Sequence, residues 1–244
     1  MELNKSNESH KQRDSIYYKT LRVNCKLKQE WIVSDYPFDR QRIEIYIEDY
    51  NHDISQIVFI PDTLASKIDK SLKINGWDIK DFSIKTIDHI YETNYGDPML
   101  DINDHSTYSR AVIGFTLERD GYGLFFKLFI GLFIAVLISL LTFFVNPMDL
   151  DPRFGLSVGA IFAAIASQYV ITSTLPQNSG LTLVDILHDI AYVTIFITIM
   201  ISTISLYFMK NSRENISRKI DRYSFFTVTL LYLTFTLYFI IKSV

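Results

Sequence analysis

Cysteine is nearly absent. Cys25 is the only one in 244 residues, so no disulfide can form within the chain and a disulfide-stapled scaffold is excluded. A basic excess is also lacking: 24 Lys and Arg stand against 27 Asp and Glu, net −3, which argues against nucleic acid as a partner. The five histidines, His10, His52, His89, His105 and His188, show no metal-ligand spacing. Nothing resembles a phosphate loop or a nucleophile motif. No metal, cofactor or enzymatic reaction is therefore called for. The opening stretch, MELNKSNESHKQRDSI, has no apolar run and no cleavage pattern, so it is not a signal peptide.

What the chain does have is divided unevenly. Residues 1–123 hold 16 Lys and Arg and 21 Asp and Glu, net −5; residues 124–244 hold 8 and 6, net +2, with most of the long apolar runs. A single soluble domain does not sort its charges this way. Four charge-free runs lie in the second half, at 128–145, 154–175, 190–209 and 223–241, of 18, 22, 20 and 19 residues. A helix crossing about 30 Å of hydrocarbon needs roughly 20 mostly apolar residues. The runs predict a four-helix transmembrane bundle over 124–244, with spans near 124–145, 154–175, 186–209 and 222–242, and membrane lipid as a surrounding partner. Lys210, Arg213, Arg218, Lys219 and Arg222 lie between the third and fourth spans, whereas 174–189 has no Lys or Arg. The loop with basic residues stays inside. This places both chain ends, and residues 1–123, outside the cell or inner membrane.

The spans differ in chemistry. The first, third and fourth are rich in Phe, Ile, Leu, Tyr and Thr. The second, FGLSVGAIFAAIASQYVITSTLP, is smaller and more polar. Small residues let helices approach closely, and polar residues at bilayer depth face a bundle interior or water. Steps of three and four give Gly155, Gly159, Phe162, Ala166, Tyr169 or Val170, and Ser173. This stripe is small at one end, bulky in the middle and polar at the other. A water pore with a dewetting constriction reads so. A packed central helix with no water path reads the same from composition alone.

In the first half, residues 1–16 are polar and read as a disordered N-terminus. Residues 17–123 carry strand signals. RIEIYIE at 42–48 alternates with period two and predicts Ile43, Ile45 and Ile47 on one buried face. Residues 56–60, 77–91 and 108–118 read as further strands, separated by turn-like clusters at 34–37, 51–55 and 94–105. Five or six strands suggest a partial antiparallel β-sandwich ahead of the bundle.

Three motifs, in order, carry a resemblance. YPFDRQ at 36–41, FTLERDGYGLFF at 115–126 and PRFGLSVGAIFAAIASQYVITSTLP at 152–176 resemble the signature loop, the last outer strand and the pore helix of a subunit of the pentameric ligand-gated ion channels (the Cys-loop receptor superfamily), most like its bacterial branch. TLVD at 182–185 resembles the start of that family's third span. The likeness covers roughly residues 18–241.

The resemblance implies an extracellular or periplasmic sandwich that binds a small-molecule ligand or senses protons. It also implies a homo-pentamer and a pore lined by Gly155, Gly159, Phe162, Ala166, Tyr169, Val170 and Ser173. Pro37, Phe38, Asp39, Arg119 and Pro176 match the coupling interface, where Asp39 and Arg119 are expected to pair. Tyr50, Tyr91, Tyr95 and Tyr108 match one wall of a cation-binding site, and ordinary strand and turn tyrosines read equally well.

Asp149, Asp151 and Arg153 match the charges at the inner mouth. The carboxylates favour cations, while Arg153 in a Pro-Arg-x-Gly pattern resembles anion-selective members. Relative to the family, the loop's two cysteines and the proline of the first span are absent. The outer domain also reads as shorter at its front, so a truncated product is one expectation. The alternative function is a non-conducting or truncated membrane interaction or regulatory protein of the same fold.

Overall fold

The computed structural model describes residues 4–13, 16–93, 106–175 and 180–243. The chain divides into two compact units, Met1–Trp31 and Ile32–Val244. In the first, β1 (Asn4–Arg13) pairs antiparallel with β2 (Ile16–Asn24), with a register shift between Ser6 and Glu8. Disorder was expected over 1–16, yet this backbone forms a ladder. A ladder satisfies N–H and C=O groups whatever the side chains are, although a lone two-stranded ribbon is marginal in water.

The second unit holds a small antiparallel sheet followed by four long helices. Its strands are β3 (Arg40–Glu48), β4 (Trp77–Ile90) and β5 (Thr107–Arg119), in the order β3-β5-β4. β5 is central and the least exposed, with Ala111, Val112 and Leu117 buried. Glu118 on β5 bridges Arg40 at 2.8 Å and Lys80 at 3.4 Å. The Arg40 guanidinium holds the Glu118 carboxyl below its ordinary range.

Two strand expectations are corrected here. Of the alternating isoleucines, Ile43 is buried, Ile45 is half-buried and Ile47 is exposed, so among the described residues the cover over that face thins towards the end of β3. Residues 56–60 form no strand. Ser109 Oγ accepts from the Phe59 N–H (2.9 Å), and Thr86 Oγ1 donates to the Phe59 carbonyl (2.9 Å). Side chains of the sheet take the backbone groups that a ladder would have used.

The helices are α1 (Gly121–Leu141), closed by a 3-10 turn at Thr142–Phe144, α2 (Leu150–Thr172), α3 (Leu183–Lys210) and α4 (Glu214–Ser243). All four are long and apolar enough to cross a membrane. α4 begins eight residues before the expected span, because Glu214, Arg218 and Arg222 continue the helix beyond its apolar part. Glu214 and Arg218 pair one turn apart.

The bundle core is built from Phe129, Leu132, Ala135 and Val136 on α1, Ala160 and Ala164 on α2, and Leu187, Ala191 and Ile195 on α3. Alanine at these contacts lets the helix backbones approach. Thr194, Thr198, Ser202 and Ser205 form a buried hydroxyl stripe on α3. Thr194 and Thr198 donate to the carbonyls four residues back, and Ser205 meets Ser217 of α4 at 2.8 Å. The Ser202 hydroxyl, also buried, finds no partner among the described residues.

The border expected at residue 123 falls inside the second unit. One residue, Asp120, separates β5 from α1. Tyr36 and Phe38, in the loop before β3, pack against the helical core.

Candidate functional site

The loop 32–39 brings together the sheet and three of the helices. Asp39 is almost fully buried, and its carboxylate faces the Arg119 guanidinium. Arg119 Nε donates to Oδ1 at 2.6 Å and Nη2 to Oδ2 at 3.2 Å. A two-point pair of this kind fixes both side chains in orientation. The expected Asp39–Arg119 pairing is therefore present.

Its surroundings were not foreseen. Gln41, also buried, donates to Asp39 Oδ2 (2.8 Å) and to the Ile32 carbonyl (2.7 Å), and accepts from the Ile32 N–H (3.1 Å). The guanidinium lies 4.0 Å from the Trp77 ring centroid and 5.0 Å from that of Tyr36. Both distances allow cation–π attraction. Burial raises the Tyr36 hydroxyl pKa, against the lowering effect of Arg119. Gln41 sits two residues beyond Asp39, on the same strand face. Trp77 is the β4 residue registered opposite Arg119. The first relation is legible in sequence; the second needs the strand pairing.

The same loop grips the helices. The Leu183 N–H, at the start of α3, donates to the Ser34 carbonyl at 2.8 Å. Thr182 and Asp185 cap that end reciprocally. Ser243, at the end of α4, donates to the Asp35 carbonyl at 3.4 Å. Phe38 meets Tyr122 and Phe125 of α1, each at 5.5 Å between ring centroids. The loop thus contacts α1, α3 and α4 at one end of the bundle. Pro176, expected at this interface, lies outside the described residues.

Gly121 opens α1 under the same loop. A Cβ there would fall on the Pro37 carbonyl oxygen and the Phe38 ring, whereas one on Gly123 would meet open space. Gly121→Ala is expected to lower stability by about 1–3 kcal/mol, the usual cost of overpacking. Gly123→Ala should not destabilise, since Ala is the better helix former. Thermal unfolding of both variants in detergent checks the contrast.

On α2, all seven residues of the expected pore stripe are exposed in the single chain: Gly155, Gly159, Phe162, Ala166, Tyr169, Val170 and Ser173. Phe162 and Tyr169 are 66% and 74% accessible. The opposite stripe, Arg153, Ser157, Ala160, Ala164 and Ile171, is buried in the bundle. Ser157 meets Thr142 at 3.1 Å. Near the other end, Gln168 accepts from the Tyr192 hydroxyl (2.7 Å) and donates to Asp185 (3.3 Å). Ser157 and Gln168 of α2 are thereby held against the 3-10 turn and α3, and the small-and-aromatic stripe is left uncovered.

Arg153 is set apart from Asp149 and Asp151. The two aspartates are exposed, whereas Arg153 is fully buried. Its Nη2 donates to Asp221 Oδ1 on α4 at 2.6 Å. Its Nη1 donates to Asp221 Oδ2 at 3.1 Å and to the Val145 carbonyl at 2.9 Å. The partner stands 68 residues away in sequence, which is why local spacing did not reveal the pair.

Two of the tyrosines expected at a ligand wall come together. Tyr50 is 93% exposed, and Tyr95 lies outside the described residues. Tyr91 and Tyr108 meet edge to face at 5.5 Å. The Arg110 guanidinium lies 5.3 Å from the Tyr46 centroid and 6.0 Å from that of Tyr91, and it pairs with Glu48 at 2.6 Å. The Tyr91 hydroxyl donates to Glu48 at 2.5 Å, which raises its pKa. Of the expected rings, Tyr91 already faces the chain's own guanidinium.

In comparison with known proteins, no family model and no curated protein matches the chain. The class defined by the structure is a small antiparallel sheet followed by four helices long and apolar enough to cross a membrane. These helices fit a multi-pass membrane protein.

Proposed function

We propose that the chain is a subunit of a pentameric ligand-gated ion channel, with five copies arranged around α2 and small ions passing between them. The observation that carries this reading is the division of α2 into two faces. One is sealed into the bundle by Ser157, Ala160 and Ala164; the other, from Gly155 to Ser173, is left open by its own subunit. A helix used only as an anchor needs no uncovered stripe of Gly, Ala and Ser. Copies of the same stripe around water give it a role.

In this reading the three-stranded sheet is part of an outer β-sandwich held outside the cell or inner membrane. A small-molecule ligand or a proton acts on that sandwich, and loop 32–39 passes the motion to α1, α3 and α4. Phe162, the wholly apolar ring in the middle of the stripe, forms the constriction. Phe162→Ser should raise basal conductance, because a hydroxyl in place of a ring both widens the constriction and wets it. Single-channel recording from purified protein in bilayers, paired with the oligomer mass in detergent, tests the reading. A five-subunit mass with unitary currents supports it; a different mass with silence at every pH and ligand tried overturns it.

A second reading is a non-conducting membrane interaction protein of the same fold. The exposed apolar residues Val58 and Ile60, on the loop held against the sheet, favour it, because apolar side chains left in the open suit a protein partner. Capture of a partner by Val58 and Ile60 in a protein that passes no current would establish that role.

A further inference from the structure

We propose that Asp221 on α4 sets the charge selectivity of the pore, by holding Arg153 inside the bundle and leaving carboxylates alone to face the ions. The inference rests on the pore reading above and names the permeant class as cations.

Three observations carry it. Asp151 lies one turn before Gly155, so it continues the open stripe of α2 (151, 155, 159) to its first turn, and it is exposed. Among the described residues, neither Asp151 nor Asp149 forms an ion pair. Arg153 belongs to the other face, with Ser157 and Ala160, and has no accessible surface. Its charge is met by both carboxylate oxygens of Asp221 and by the Val145 carbonyl.

Charge selectivity in a pore follows from which charges ring the water path. By position along α2, Arg153 competes with Asp151 for that ring. By burial it does not, and the residue responsible stands on a different helix. The other basic groups near this end stand on α3, α4 and the loop between them, not on α2. Arg218 is paired with Glu214. Arg222 lines a cavity of about 760 Å³ with Phe143, Phe144, Phe225 and Phe226, on α4 and the end of α1.

The test is the reversal potential of the full-length protein in liposomes under a KCl gradient. The wild type should reverse on the potassium side. Asp151→Asn should bring the cation-to-anion permeability ratio towards unity. Asp221→Ala frees the guanidinium and should lower the ratio, whereas the paired replacement Arg153→Leu with Asp221→Leu should keep it near the wild-type value. This paired variant removes both charges at once, so it covers the case in which Asp221→Ala does not fold. A chloride-selective wild type overturns the inference while leaving the channel reading intact, and so does a paired variant that loses cation preference. Absence of current in every variant, from correctly assembled protein, overturns both.

Discussion

Replacing Asp39 by Ala is expected to destabilise the fold by about 3–5 kcal/mol, the cost of stranding one partner of a buried ion pair. Arg119 would stay between Trp77 and Tyr36 with no carboxylate to meet it, and Gln41 would lose one of its acceptors. Arg119→Ala leaves the almost fully buried Asp39 uncompensated and should cost a similar amount. The double variant should be less damaged than the sum, with a coupling energy of roughly 1–3 kcal/mol. Thermal denaturation in detergent, followed by loss of helical signal, measures all three. Additivity to within about 0.5 kcal/mol would show that the pair contributes nothing as a pair. The same geometry makes Arg119→Lys damaging. An ammonium cannot reproduce the two-point contact.

Asp221→Ala carries the second large effect. Arg153 has no accessible surface, and its Nε finds no partner among the described residues. Loss of Asp221 would leave one backbone carbonyl as acceptor for a full charge inside the bundle. About 3–5 kcal/mol of destabilisation is expected. Replacing both residues by Leu removes the charge together with its counter-charge. Apolar replacements of whole buried pairs are often neutral or stabilising by about 1–4 kcal/mol. The paired variant should therefore unfold at a higher temperature than Asp221→Ala alone. The opposite order would mean that Arg153 finds another counter-charge once Asp221 is gone.

How far these features can be read from the sequence depends on the range of the forces behind them. The four spans are legible because crossing a bilayer is a demand on length and polarity, and both are local. Their helical ends are less so. The start of α4 at Glu214 lies among charges that end an apolar run without ending a helix. The alternation at Ile43, Ile45 and Ile47 marks a strand correctly. Whether a face is covered depends on what packs against it, and Ile47 is left exposed. Residues 56–60 have strand composition, yet Thr86 and Ser109 take the backbone groups of Phe59, a competition that period-two patterning does not register.

The candidate sites divide in the same way. Asp39 and Arg119 are 80 residues apart and are joined only through resemblance, because no local rule pairs them. The open stripe of α2 follows from steps of three and four, and all seven of its residues are exposed in the single chain. Arg153 shares that helix, and its placement is decided by Asp221. Tyr91, just past the end of β4, and Tyr108 on β5 are ordinary residues until the pairing of β3 with β5 brings Glu48 opposite Arg110.

Arg119 closes the last rung of β5, and Gly121 opens the first turn of α1. The residue between them, Asp120, is itself tethered, its N–H donating to the Gly76 carbonyl at 3.1 Å. The connection therefore has no slack. A twist of the central strand about its long axis would reach the first helix as torque, as in a crankshaft, with loop 32–39 clamping the same joint from the side.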